Sequence, residues 1–227
     1  EFTAAPNYAG GVPSIEYSVV GGTSENTASQ TLEFVLTPVA DVPIIAENKP
    51  VHTLEDTSVA LEMVTPTITD AGTSASTDDY PERIGAITLT IGGAGADGVT
   101  LLNGAEVLTP VGGKLTIVLT DVPHIIGVPA ANADAGVYHM TAEQYSKLMA
   151  VPKPESGDNF TITVDVTSYE VDASGAVRTQ TVGDVTTPLP GAPAVPQIIT
   201  VDVQAVTDKA ILTLSATEVQ RTFAEDT

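Results

Sequence analysis

The chain is 227 residues long and 42% hydrophobic, enough to close a packed core and to exclude general disorder. Its 8 Lys+Arg against 29 Asp+Glu give a formal charge of −21 with no basic run, which argues against a nucleic-acid or anionic-membrane partner. Cysteine is absent, which removes disulfides and thiolate metal sites, and no stretch reaches the ~18 consecutive apolar residues that insertion across a membrane requires.

In chain order, the first predicted strands are SIEYSVV (14–20) and TLEFVLTPV (31–39), both alternating and β-branched. The next, AITLTIGG (86–93), runs into GGAGADGVT (92–100). That stretch fits the calcium-binding nonapeptide G-G-x-G-x-D-x-U-x letter for letter. A β-roll needs stacked copies, and this copy stands alone. Gly92, Gly93, Gly95 and Gly98 are therefore read as loop and turn glycines, and Asp97 as a turn residue. KLTIVLTDV (114–122) predicts another strand.

YHMTAEQYSKLM then predicts the one short helix, about two turns, plugging an end of the fold. Thr141 is its N-cap, Gln144 completes a capping box, and Tyr145, Leu148 and Met149 share one face. FTITVDVTSYEV (160–171) and QIITVDVQAV (197–206) close the set, with Asp172 and Gly175 at a hairpin tip. Between them TTPLPGAPAVP (186–196) reads as a semi-rigid surface loop. Short strands bounded by Gly, Pro, Asn and Asp imply an all-β antiparallel β-sandwich with one short helix.

The chain also repeats itself. TLEFVLTPVADVPII (31–45) matches IITVDVQAVTDKAIL (198–212), pairing Asp41 with Asp208 at a spacing of 167. HTLEDT (52–57) matches RTFAEDT (221–227), pairing Glu55-Asp56 with Glu225-Asp226 at a spacing of 170. More loosely, YAGGVPSIEYSVV (8–20) matches ESGDNFTITVDVT (155–167). The period implies closing strands of a preceding repeat at 1–46, a complete repeat at 47–209 and the opening of a following one at 210–227. The chain begins in mid-pattern, as an excised piece would, and Glu1-Phe2 reads as a cloning scar. The partial ends are expected to pack on the full repeat, on each other or on a neighbouring molecule.

No enzyme signature is found: no H-E-x-x-H, G-x-S-x-G or Walker loop, and His52, His124 and His139 lie in unrelated contexts. His52 and His139 are placed at strand edges and His124 in a Pro-flanked turn. The chain is accordingly expected not to be an enzyme. The sequon Asn159-Phe160-Thr161 is read as accidental.

More informative is the acidic signature Glu55-Asp56-Thr57, 14 residues after Asp41 and followed by Asp70 and by STDDYPER with Asp78, Asp79 and Glu82. A hard cation such as Ca2+ takes six to eight oxygens, which a repeat boundary can gather from strand ends, linker and loop. The alternative is that Glu-Asp merely opens a strand and discourages edge pairing.

Glu55-Asp56-Thr57, the stretch from Tyr138 to Leu148, that from Asp158 to Ser168 and that from Val201 to Ala210 together resemble tandem cadherin-like or immunoglobulin-like repeats of giant RTX-type bacterial adhesins. The resemblance covers most of 47–227, with 8–46 as the end of a preceding copy. It implies an extracellular, cell-surface stalk that calcium stiffens at its junctions and that projects an adhesive tip in adhesion or biofilm formation. Its partners would be adjacent repeats of the same chain and a cell-surface or matrix ligand. By position, Asp41, Glu55, Asp56, Asp70, Asp79 and Glu82 would form one junction, with Asp208, Glu225 and Asp226 starting the next. Two departures stand out: the loop DAGTSASTDDYPER is longer than the usual short D-x-D-G turn, and the Pro-rich insert is an addition. The insert leaves open a glycan- or peptide-binding module, and the partial end repeats leave open a self-assembling surface fibre subunit whose ends complete one another between molecules.

Overall fold

The computed structural model describes residues 3, 14–21, 27–34, 36–47, 49–69 and 81–207. Within them the alternating runs become strands because each presents every second side chain to a shared interior. The largest sheet has six strands, in the order β10 (Val137–Met140), β9 (Lys114–Leu119), β6 (Ile87–Gly92), β12 (Phe160–Asp165), β17 (Gln197–Gln204) and β3 (Val51–Leu54). Two smaller sheets share its core. One orders β4 (Val59–Ala60), β11 (Met149–Val151), β7 (Thr100–Asn103) and β8 (Glu106–Leu108); the other orders β16 (Ala192–Pro193), β13 (Thr167–Glu170) and β5 (Glu82–Ile84). The result is an all-β sandwich. Most neighbours are antiparallel, but β10–β9 and β17–β3 pair in parallel.

The core is aliphatic, as the scarcity of aromatics requires. Ile87, Leu89, Leu115, Ile117, Ile162, Val164, Ile199 and Val201 are fully enclosed, with Phe160 among them. Each such Val, Leu or Ile contributes about 1.5–3 kcal/mol of burial.

Several sequence readings are sharpened or corrected. The run 160–171 is two strands: the chain leaves the large sheet after Asp165 and joins the small one at Thr167, with alternate residues from Phe160 to Glu170 facing inward throughout. The helix α1 (Ala142–Ser146) has the full capping box on Thr141 and Gln144 but makes little more than one turn. Tyr145 and Leu148 are buried, whereas Met149 already opens β11.

The Pro-rich insert is not a free loop. Its first residues belong to β15 (Val185–Pro188), which pairs with β14 (Thr179–Val182) as an exposed ribbon. Leu189 and Ala194 then anchor it, and β16 pairs with β13 at the edge of its sheet, the place where Pro193 is tolerated. Asn159 spends its side chain on the fold. Its amide donates to Asp202 Oδ1 at 3.0 Å and its carbonyl accepts the Val203 N–H at 2.8 Å.

At the chain's beginning, β1 (Ile15–Val20) and β2 (Thr27–Leu32) form a separate hairpin. Its register repeats that of the central strands. Ile15 faces Leu32 and Tyr17 faces Gln30, while Ile162 faces Ile199 and Val164 faces Gln197. The offsets, 147 and 167, are those of the sequence repeats. In the sandwich these positions are sealed between neighbouring strands. In the hairpin Ile15, Tyr17 and Leu32 stay about half exposed, at 51%, 52% and 50%, and among the described residues no further strand pairs with it as neighbours do with its counterpart.

Candidate metal centre

Of the acidic residues singled out in the sequence, the described ones (Asp41, Glu55, Asp56 and Glu82) fall into two groups at opposite ends of the sandwich. The dividing length is set by β17. Val164, just before the chain turns into β13, lies opposite Gln197, while Leu54, just before Glu55, lies beside Gln204. Seven strand steps separate those positions, about 23 Å. The single junction expected for Asp41, Glu55, Asp56 and Glu82 is therefore corrected. β3 runs away from the preceding linker along the last four residues of β17 and delivers Glu55-Asp56 to the far end.

At the leading end, residues 38–45 are laid onto the sandwich with Pro38, Ala40, Pro43 and Ile45 buried and Val39, Val42 and Ile44 outward. Ile44 forms a two-way backbone bridge with Thr67. Between these anchors the Asp41 peptide is gripped on both sides. Its N–H donates to Glu82 Oε1, and its carbonyl accepts from the Ser168 hydroxyl. Glu82 lies directly across from Glu170 in the β5–β13 pair, so the two carboxylates share one inward face. Glu82 is 1% exposed, Glu170 7% and Ser168 0%.

Sequence reasoning missed Ser168 and Glu170. The signal was present in the parity of Phe160, Ile162, Val164 and Val166, which carries inward facing on to 168 and 170.

At the trailing end, Glu55 N–H donates to Gln204 O at 3.0 Å, continuing the parallel ladder. Its buried carboxylate turns back to accept the Val206 N–H at 2.6 Å. Asp56 adopts a left-handed backbone (φ 57°), and its Oδ1 accepts the N–H of Glu155, itself at φ 56°. Such conformations cost about 1–3 kcal/mol each and are held only where neighbours enforce them. Asp70, Asp79, Asp208, Glu225 and Asp226 lie outside the described residues.

The donors at both ends are all oxygens, the class of ligand that a hard cation takes, although Asp56 is exposed. Among the described residues no three Asp, Glu, His or Cys side chains come together in a group that could hold a metal ion.

The histidines offer no alternative centre. His52 Nδ1 lies 3.3 Å from Asp202 on the exposed sheet edge, His124 Nδ1 lies 3.0 Å from Val122 O, and His139 Nε2 lies 2.8 Å from Pro129 O. In the nonapeptide, Asp97 is exposed in the turn between β6 and β7, and Val99 is buried. Gly95 is required there by contact: a Cβ on it would come within 2.2 Å of Asp158 O. No protein-family model, no curated protein and no solved structure matches this chain.

Proposed function

We propose that the chain is a non-enzymatic, calcium-stabilised module of an exported bacterial adhesin, a spacer in a tandem array that projects a ligand-binding tip. The observation that carries this reading is the placement of carboxylates at both chain crossings. Glu82, which faces Glu170 across the β5–β13 pair, holds the incoming linker at Asp41, and Glu55, followed by Asp56, holds the outgoing chain at Val206. In a tandem array the trailing group of one module and the leading group of the next converge on a shared linker. Each isolated module therefore carries two half-sites.

Two carboxylates side by side out of water are an arrangement that a divalent cation satisfies. When bound, Ca2+ would supply charge neutralisation and stiffness. At the leading end Glu82 and Glu170 would contribute to holding it, beside the Asp41 peptide. At the trailing end Glu55 and Asp56 would do so, with Asp208, Glu225 and Asp226 as the sequence's further contributors.

Thermal unfolding with added calcium and with chelator tests the reading. A native-state ligand at 100 times its Kd stabilises by about 2.7 kcal/mol, so the melting temperature should rise with calcium and the gain should shrink in Glu82→Gln. A melting temperature unchanged across millimolar calcium would sink the calcium model.

A further inference from the structure

We propose that successive modules are locked together by a two-carboxylate clasp on the linker backbone, one carboxylate from each module, and that this clasp holds without a cation. The inference rests on the tandem reading above but not on the metal.

Each end of the module shows one half of the device. At the trailing end Glu55 Oε1 accepts the Val206 N–H. At the leading end Glu82 Oε1 accepts the Asp41 N–H while Ser168 holds the same residue's carbonyl. The 167-residue repeat places Val39 on Val206 and Asp41 on Asp208. Brought onto one linker, the Glu55-type carboxylate of the module before grips the first amide, and the Glu82-type carboxylate of the module after grips the amide two residues on. Two residues of extended chain span about 7 Å, which leaves no room for a hinge between the grips.

An ionised carboxylate accepting a backbone N–H makes a bond roughly twice as strong as a neutral one. Glu55 is only 7% exposed and Glu82 1%, so water competes poorly for either. Asp41 and Val206 both lie outside strands, so no sheet ladder masks their amides. Protection there reports on the clasp itself.

The test is amide hydrogen exchange by NMR on the full chain in EDTA. Both amides should exchange at least about 100-fold more slowly than an unstructured peptide. Glu82→Gln keeps an acceptor but loses the charge, and should speed exchange at Asp41 by about tenfold while leaving Val206 unchanged. Glu55→Gln should do the reverse. Glu82→Ala should release Asp41 fully; if burial makes that variant fail to fold, the glutamine variant, with Val206 as internal control, decides the matter. Exchange at the free-peptide rate at either amide in EDTA overturns the clasp, and so does protection that appears only when calcium is added. Protection in EDTA together with a calcium-independent melting temperature supports the clasp and removes the metal reading.

Discussion

Tyr145 is the largest of the fully buried side chains, and its hydroxyl finds no hydrogen-bond partner among the described residues. Burial alone pushes its phenol well above the usual tyrosine range. An unmade bond of this kind costs about 1–3 kcal/mol. Tyr145→Phe should therefore be neutral or stabilising by about 1 kcal/mol in urea denaturation, unlike most core changes; a loss of more than about 1 kcal/mol would mean that the hydroxyl is satisfied. Asp172 presents the opposite case. Its Oδ1 accepts the Ser174 hydroxyl at 2.6 Å and the backbone N–H groups of Ser174 and Ala176, and these bonds, the hydroxyl first, hold its carboxyl below the ordinary value. A depressed folded-state pKa stabilises above the unfolded value near 4 and ceases to do so as pH falls through the folded one. The urea midpoint of Asp172→Ala should lie below that of the parent chain at pH 7, with the gap closing below about pH 4. A gap that widens on acidification contradicts this account.

Among the elements, legibility followed length and alternation. β1, β6, β9 and β17 each hold six or more residues of alternating character and match their predicted runs within a few residues, whereas the run 160–171 continues past β12 into β13 and the run 31–39 overlaps β2 only at Thr31 and Leu32. β3, β4, β5 and β16 have only two to four residues, too few for a period to show, and they exist because longer strands template them. That loss mattered for the candidate site. Without β3 there was no way to see that Glu55 travels to the opposite end from Asp41, and without β5 no way to see that Glu82 faces Glu170. β2 stops at Leu32, although its counterpart β17 continues to the residue equivalent to Thr37 and is flanked there by β3.

The ribbon β14–β15 stands apart from the sheets, and all eight of its residues are exposed. Leu189 N–H donates to Arg178 O at 2.7 Å at the base of the ribbon, a bond that would close a two-residue turn if the ribbon were replaced by two residues. Replacing Thr179–Pro188 by Gly-Gly should change stability by less than about 1 kcal/mol in urea. Deleting 186–196 strips out buried Leu189 and Ala194 and should cost at least about 3 kcal/mol. Equal losses in the two variants would show the ribbon to be part of the folded core. The first variant is also the clean probe for any ligand contact made by this region.

For the molecule as a whole, the chain crosses from one end to the other: the linker is gripped at Asp41, and the outgoing chain is gripped at Val206. Between these points, after the single Ile44–Thr67 bridge, the first pairing of strands is β3 alongside β17, four residues in parallel register from Val51–Val201 to Leu54–Gln204. Tension along a tandem array would pull the beginning of β3 one way and the end of β17 the other. Two strands running the same way and drawn from opposite termini slide past each other, so their hydrogen bonds bear load together in shear and are not peeled off one at a time. The parallel pair, a departure from the antiparallel pattern expected of this sandwich, would act in such an array as a mechanical brake, to which the carboxylate grips at the two ends would deliver force.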